Sequence, residues 1–275
     1  MSTLQFKVLI PKPCVNPWVP HMNLSRSRSK LIHRLHRRCS RVREGAYLAE
    51  GVRGVAEIVD AGAEVRFAVK APRLNDVPGG PELAQSLDAR GIEVVPADDS
   101  TLAGLAATET PQGILAVCNE PRMEVAAPAR VLLADAIQDP GNMGTLIRSA
   151  AAFGVDLVVA LDGCVDPFNA KTVRASAGTI ARVPVKIATW DEVAARLDGW
   201  NLPLCYAAAT ADSEPISSTR WVLAVGNEGR GVRPAIRDTA STGIAIPMAS
   251  RIDSLNAGVA GSILMYLLTT GEATQ

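Results

Sequence analysis

RVLLADAIQDPGNMGTLIRSAAAFGVDLVVAL, residues 130–161, decides the fold. It opens on a short continuous apolar run, RVLLADAI, and closes on another, VDLVVAL. Runs of this kind suit strands that are covered on both faces of a parallel sheet. Between them, Asp139-Pro140-Gly141-Asn142 is a turn-forming cluster. A helical stretch of small apolar residues follows, ended by Gly154. Asn142 is placed to cap that helix, and Gly144 to admit a close neighbour. Arg148 is the one charge among those small side chains, and a buried helix has no need of it. Further apolar runs return in VPVKIA, LPLCYAAA, WVLAVG and GIAIPM, most of them separated by helical segments. The alternation predicts an α/β domain with a doubly wound parallel sheet over residues 130–275.

Upstream, residues 23–118 alternate helix and strand on a smaller scale. LSRSRSKLIHRLHRRCS carries Leu31, Ile32 and Leu35 at helical spacing. AEGVRGVAEIVDAG reads as a second helix stopped by Gly62. EVRFAVK, IEVVPA and QGILAVC read as strands. GPELAQSLDARG and DDSTLAGLAAT read as helices, the latter with good capping residues at its start. Residues 119–129, NEPRMEVAAPA, lose periodicity and gain prolines, as a linker does. Residues 1–22 are proline-rich and aperiodic, and read as a loose tail or as an upstream extension of a chain that starts at Met22.

The chain is electrically balanced, with 28 Lys and Arg against 28 Asp and Glu. The balance is not local. Arg26, Arg28, Lys30, Arg34, Arg37, Arg38, Arg41 and Arg43 crowd one segment, with His33 and His36 among them. Such a run is either a solvated helix face or a surface for a polyanion, most naturally nucleic acid. The five cysteines, Cys14, Cys39, Cys118, Cys164 and Cys205, are scattered and contain no CxxC pair. They support neither a disulfide framework nor a zinc site, and read as reduced thiols of a cytoplasmic protein. No apolar run reaches the roughly 18 residues that a membrane-spanning helix needs. All three histidines lie before residue 37. A histidine triad or metal centre in the second half is therefore excluded.

In an open parallel sheet, ligands sit beyond the carboxyl ends of strands. Three such loops stand out. The first is QDPGNMG with Arg148 downstream. The second is NEGRGV, residues 227–232, preceded by Gly226. It fits neither the dinucleotide fingerprint nor the phosphate-binding loop. Its Glu228 suits a cationic or hydroxyl-bearing ligand better than a phosphate. The third is ASRIDSLNAGVAGSILMYLL, where Ser254 and Asn256 stand at the start of a helix of small residues. Each of the three also reads as an ordinary turn or helix start when taken alone.

Taken in order, NMGTLIRSAAAFG, VGNEGRGV and IPM…SLN…VA resemble the three motifs of the SpoU (TrmH-like) RNA ribose 2'-O-methyltransferases of the SPOUT superfamily. DPFNAKTVRASAGTIARVPV, residues 166–185, is similar to the family's segment between the first two motifs. SRSKLIHRLHRRCSRVREGAYLAEGVRGVAEIV resembles the ribosomal-protein-like domain with which many members bind RNA. Together these cover almost all of the chain after Met22.

The resemblance implies a trefoil-knotted α/β domain, a homodimer with the active site at the subunit interface, and S-adenosylmethionine held mainly by backbone groups. Gly226, Ile246 and Leu255 match the cofactor-contacting positions. Arg148, Asn142, Glu228, Ser254 and Asn256 match the catalytic ones. The RNA would be ribosomal, with transfer RNA as the alternative; a non-catalytic RNA-binding or ribosome-assembly protein on the same fold is the competing reading. Arg148 matches the family's candidate base. A guanidinium, charged below a pKa of about 12, is better suited to holding phosphate and a developing alkoxide. The third motif departs from the common N-V-S-V-A pattern: Gly258 stands where the serine would be.

Overall fold

The computed structural model describes residues 24–121, 124–210, 218–248 and 255–271. The expectations for residues 1–22 and for Ser254 lie outside that set. The first half contains α1 (Arg26–Leu35), α2 (Arg38–Glu44), β1 (Ala46–Glu50), α3 (Val52–Asp60), β2 (Val65–Lys70), α4 (Gly80–Ala89), β3 (Val94–Pro96), α5 (Asp99–Leu105) and β4 (Ile114–Asn119). Its four strands form one sheet in the order β1-β4-β2-β3. Pairing is antiparallel except between β2 and β3.

Two elements differ from the sequence reading. The basic segment is two helices, because the chain turns between Leu35 and Arg38. AYLAE, at first sight the approach to a helix, is the strand β1, buried along its whole length. The helix begins only after Gly51, whose φ of +85° breaks the path between strand and helix.

The second half runs β5 (Arg130–Asp135), α6 (Pro140–Ala152), β6 (Leu157–Leu161), α7 (Ala170–Ala175), β7 (Val185–Ala188), α8 (Trp190–Trp200), β8 (Leu204–Ala207), β9 (Trp221–Gly226), α9 (Pro234–Thr239), β10 (Thr242–Ile244) and α10 (Ala257–Thr270). Its strands make a six-stranded sheet, β10-β8-β9-β5-β6-β7, with every pair parallel. The fold class is the expected α/β, with layers on both faces of the sheet. Leu132, Ala134, Val158 and Ala160 pack against Leu146, Ile147, Leu264 and Met265 of α6 and α10. Val131, Leu133 and Val159 pack against Val193, Trp200 and Ile236 of α8 and α9. The period-two alternation along β5 thus serves two separate cores.

The halves are not independent beads. One core runs through both and includes Tyr47 and Ile58 on one side and Leu146 and Phe168 on the other. The rings of Tyr47 and Phe168 are 5.4 Å apart between centroids, a tilted pair worth about 1 kcal/mol beyond its burial. Beside them, Arg41 is 4% exposed and reaches Asp166 with Nε at 3.0 Å and Nη2 at 2.5 Å. Its Nη1 donates to the Leu35 carbonyl at 2.8 Å. Arg41 was expected on an RNA-facing surface; burial and these bonds take it out of that surface and make it a clamp between the halves. Among the described residues no helix is long and apolar enough to cross a membrane.

Candidate active site

The carboxyl ends of β8 and β9, the chain following β10, and the start of α10 enclose a cavity of about 150 Å³. Gly226, Ile246 and Leu255, drawn from three separated stretches of sequence, all line it. Most of the wall is alanine, glycine and apolar side chains. Glu228 is its one charged residue among those described.

Several bonds set the shape of the 227–233 loop. The Asn227 side chain accepts from the Gly229 and Arg230 amides at 2.9 and 3.3 Å and donates to the Ala136 carbonyl at 3.2 Å. Gly231 turns the chain back with φ +66° and donates to the Asn227 carbonyl at 2.8 Å. A Cβ on Gly226 would overlap the backbone of Gly231 and Val232. The glycine at 226 is therefore demanded first by the loop returning over it, and its nearness to a ligand is a consequence. Arg233 then pins the end of the loop. Its backbone amide and Nε both donate to the Asp135 carboxylate at 2.7 Å, and Nη1 reaches Asp162 at 3.0 Å. Asp135 is buried at the tip of β5. The hydrogen bond from Arg233 holds the Asp162 carboxyl below its usual range.

The first loop meets the second. Asp139, not Asn142, caps α6: its side chain accepts from the Asn142 amide at 2.8 Å. Pro140 fills the first helical turn, where a missing N–H costs nothing. Asn142 is thereby released from capping, and its side-chain amide donates to the Glu228 carboxylate. Asn142 is 9% exposed, so this bond is sheltered from water.

The third loop contributes less than expected. Asn256 caps α10, accepting from the Val259 amide at 3.1 Å, so its visible role is structural. A Cβ on Gly258 would stand 3.2 Å from the Asn142 Cα and the Thr145 Cβ. Position 258 thus faces α6 rather than the cavity. The departure from the common motif is a packing adjustment where two helices approach closely.

Arg148 is not with the others. It lies six residues past Asn142 on α6, about 9 Å along the axis and about one and two-thirds turns around it. That rotation carries it to a second, larger cleft of about 1210 Å³ between the two halves of the chain. There it is exposed, in company with Arg53 of α3 and with Lys171 and Arg174 of α7. None of these four cations has an ion-pair partner among the described residues. Arg53, Lys171 and Arg174 were missed because isolated cations in separate segments do not form a charge run.

The run that was noticed is partly consumed. Arg28 pairs with Glu93 at 2.6 Å and lies over the Phe67 ring, and Arg34 and Arg43 share Glu44. Arg26, Lys30, Arg37 and Arg38 stay exposed. The cysteines offer no nucleophile in the core: burial pushes the thiols of Cys118 and Cys205 up to about 12 and that of Cys164 to about 11.

Comparison with known proteins places two family models on the chain: the SpoU rRNA Methylase family over residues 129–266 and the MRM3-like substrate binding domain over residues 27–116. The chain is similar to the 23S rRNA (guanosine(2553)-2'-O)-methyltransferase RlmP of Bacillus subtilis, at 33% identity over 86% of this chain and 93% of that protein. It is also similar to the 23S rRNA (guanosine-2'-O-)-methyltransferase RlmB of Ralstonia nicotianae, at 27% identity over 67% of this chain and 80% of that one. Among solved structures, a TrmH-family RNA methyltransferase from Porphyromonas gingivalis superimposes with a TM-score of 0.75 at 28% identity, covering 90% of this chain and 98% of that one. The SpoU methyltransferase AviRb of Streptomyces viridochromogenes, in complex with AdoMet, gives 0.76 at 25% identity with the same coverages.

Proposed function

Because this chain belongs to the SpoU rRNA methylase family, we propose that it methylates a ribose 2'-hydroxyl of structured RNA, 23S ribosomal RNA in the first place, with S-adenosylmethionine as donor. The observation that carries the reading is the convergence of Gly226, Ile246 and Leu255 on one small apolar cavity whose single charge is the Glu228 carboxylate. A wall of glycine, alanine and aliphatic side chains fits an adenosine, and a lone carboxylate fits a cationic ligand better than an anionic one. Bound there, S-adenosylmethionine supplies an electrophilic methyl group on a sulfonium. Asn142 holds Glu228 in place. Asn227 and Arg233 fix the loop whose backbone meets the ligand, and that fixed geometry supplies much of the rate.

Arg148, Arg53, Lys171 and Arg174 grip phosphates of the RNA in the cleft between the halves. Arg148 stabilises the oxyanion that develops as the 2'-hydroxyl loses its proton. The exposed cations Arg26, Lys30, Arg37 and Arg38 extend the same polyanion surface. The test is transfer of tritium from methyl-labelled S-adenosylmethionine to unmodified 23S transcript. A ribose 2'-methyl blocks alkaline cleavage of the adjoining phosphodiester, so the label is expected in alkali-resistant dinucleotides. Label on a base, or none despite bound cofactor, refutes the reading.

Arg148 and the Glu228 cavity occupy different flanks of α6, and a homodimer across α6 and α10 brings the two flanks of different copies together. This supports the dimer and the trefoil knot implied by the resemblance. Val259 and Tyr266, seven residues apart and so on one face of α10, are 44% and 43% exposed. Large apolar side chains exposed on one helix face are suited to a second subunit. Val259→Asp is expected to convert a sedimenting dimer into a monomer and to abolish methyl transfer with the helical circular dichroism intact. A wild-type chain that sediments as a monomer would remove the dimer.

A further inference from the structure

The interdomain cleft holds one group that phosphate binding leaves unexplained. Glu50 ends the buried strand β1, is 7% exposed, and lines the cleft. Its Oε1 accepts from the Ala107 amide at 2.7 Å. Its Oε2 is buried and has no hydrogen-bond partner among the described residues. A carboxylate can take about four hydrogen bonds, and a buried oxygen without one costs free energy. The four cations of the cleft do not relieve it, for none bonds to Glu50. The position is also rigid. The strand is fully buried, Gly51 turns sharply, and the Gln112 side chain holds the next amide, that of Val52, at 2.8 Å. A fixed, unfilled acceptor beside unpaired cations needs a ligand that brings both phosphates and N–H donors.

An RNA strand brings both. Of its four bases, guanine alone presents two neighbouring donors, N1–H and N2–H, on its Watson–Crick edge, the face that matches a carboxylate. Uracil flanks its single N–H with two carbonyl acceptors, which a carboxylate repels. Adenine and cytosine set one amino group beside a ring nitrogen that accepts. Such an edge is free only in unpaired RNA, where sequence-specific recognition concentrates. We propose that Glu50 is a specificity-determining residue that reads the Watson–Crick edge of an unpaired guanine while Arg53, Arg148, Lys171 and Arg174 hold the flanking phosphates. The assignment rests on the RNA-methyltransferase reading above.

Glu50→Gln keeps the size of the side chain and can keep the Ala107 bond through its carbonyl oxygen. It replaces the free acceptor with a donor. The binding probe is a pair of fluorescein-labelled oligouridine heptamers carrying one central guanosine or one central inosine, which lacks the 2-amino group. The wild-type protein is expected to bind the guanosine heptamer roughly tenfold more tightly, and Glu50→Gln to bind both equally. The variant should also raise KM for the 23S transcript roughly tenfold, with kcat, S-adenosylmethionine affinity and melting temperature unchanged. A wild-type protein indifferent to inosine, or a variant that keeps the preference, overturns the assignment without any need for activity. Methyl transfer by wild type and Glu50→Gln with equal KM overturns the guanine assignment alone. Absence of methyl transfer by the wild type instead overturns the underlying reading.

Discussion

Arg148→Ala should lower turnover on RNA by about a hundredfold to a thousandfold and leave the affinity for S-adenosylmethionine unchanged. The magnitude is that of removing one preorganised donor from a developing oxyanion. The selectivity follows from position. Arg148 lies in the interdomain cleft and does not line the cavity formed by Gly226, Ile246 and Leu255. Single-turnover methyl transfer, with calorimetric titration of S-adenosylmethionine alongside, measures both quantities. Lost cofactor affinity would show that the side chain shapes the cavity from a distance, and an undiminished rate would remove Arg148 from catalysis. Arg148→Lys separates charge from shape: a simple phosphate clamp keeps most of the rate, while a group that must present paired N–H donors does not.

The largest expected effect on stability belongs to Arg41→Ala. Removing one partner of a buried ion pair leaves the other charged and without its counterion, at a cost of about 3–5 kcal/mol. In a chain of this size that lowers the melting temperature by about 10 °C. Two carboxylates would be stranded together. Asp166 loses its cation, and burial together with the charge of Asp166 already holds the Glu120 carboxyl above its usual value, with Arg41 pulling it down. Because Arg41 and Asp166 come from opposite halves of the chain, the damage should be felt at their junction. Limited proteolysis in residues 119–129 should accelerate as the melting temperature falls. A shift under 2 °C would mean that the pair is replaceable by water.

The two charged residues at issue illustrate what a linear reading can and cannot see. Arg41 looked like its neighbours in a basic run, because charge patterning records residue type and not the direction of a side chain. A helix that starts afresh at Arg38 turns Arg41 inward, toward a partner 125 residues away. Arg53, Lys171 and Arg174 err the other way. Each is unremarkable locally, and only the packing of α3, α6 and α7 makes them one surface with Arg148. The missed strand β1 has the same origin. Its residues, AYLAE, have weak strand preference, and their pairing with β4 is a contact across about seventy residues of chain.

The motifs fared better, since their chemistry is written in short spacings. The apolar runs of β5, β6 and β9, the Asp-Pro-Gly turn and the glycines around Glu228 were legible because backbone turns, caps and two-sided burial impose residue types over a few positions. On its own, then, the sequence determined the parallel α/β class, the family, and which loops carry the cavity. Tertiary structure alone decided that Asp139 rather than Asn142 caps α6, that Asn142 is thereby free to hold Glu228, that Arg148 faces a different cleft, and that Glu50 keeps an acceptor open there. The physical reason is common to all four. Local propensity acts within a few residues, whereas hydrogen-bond satisfaction and charge pairing are settled among whichever groups the fold brings within 3 Å or so of one another.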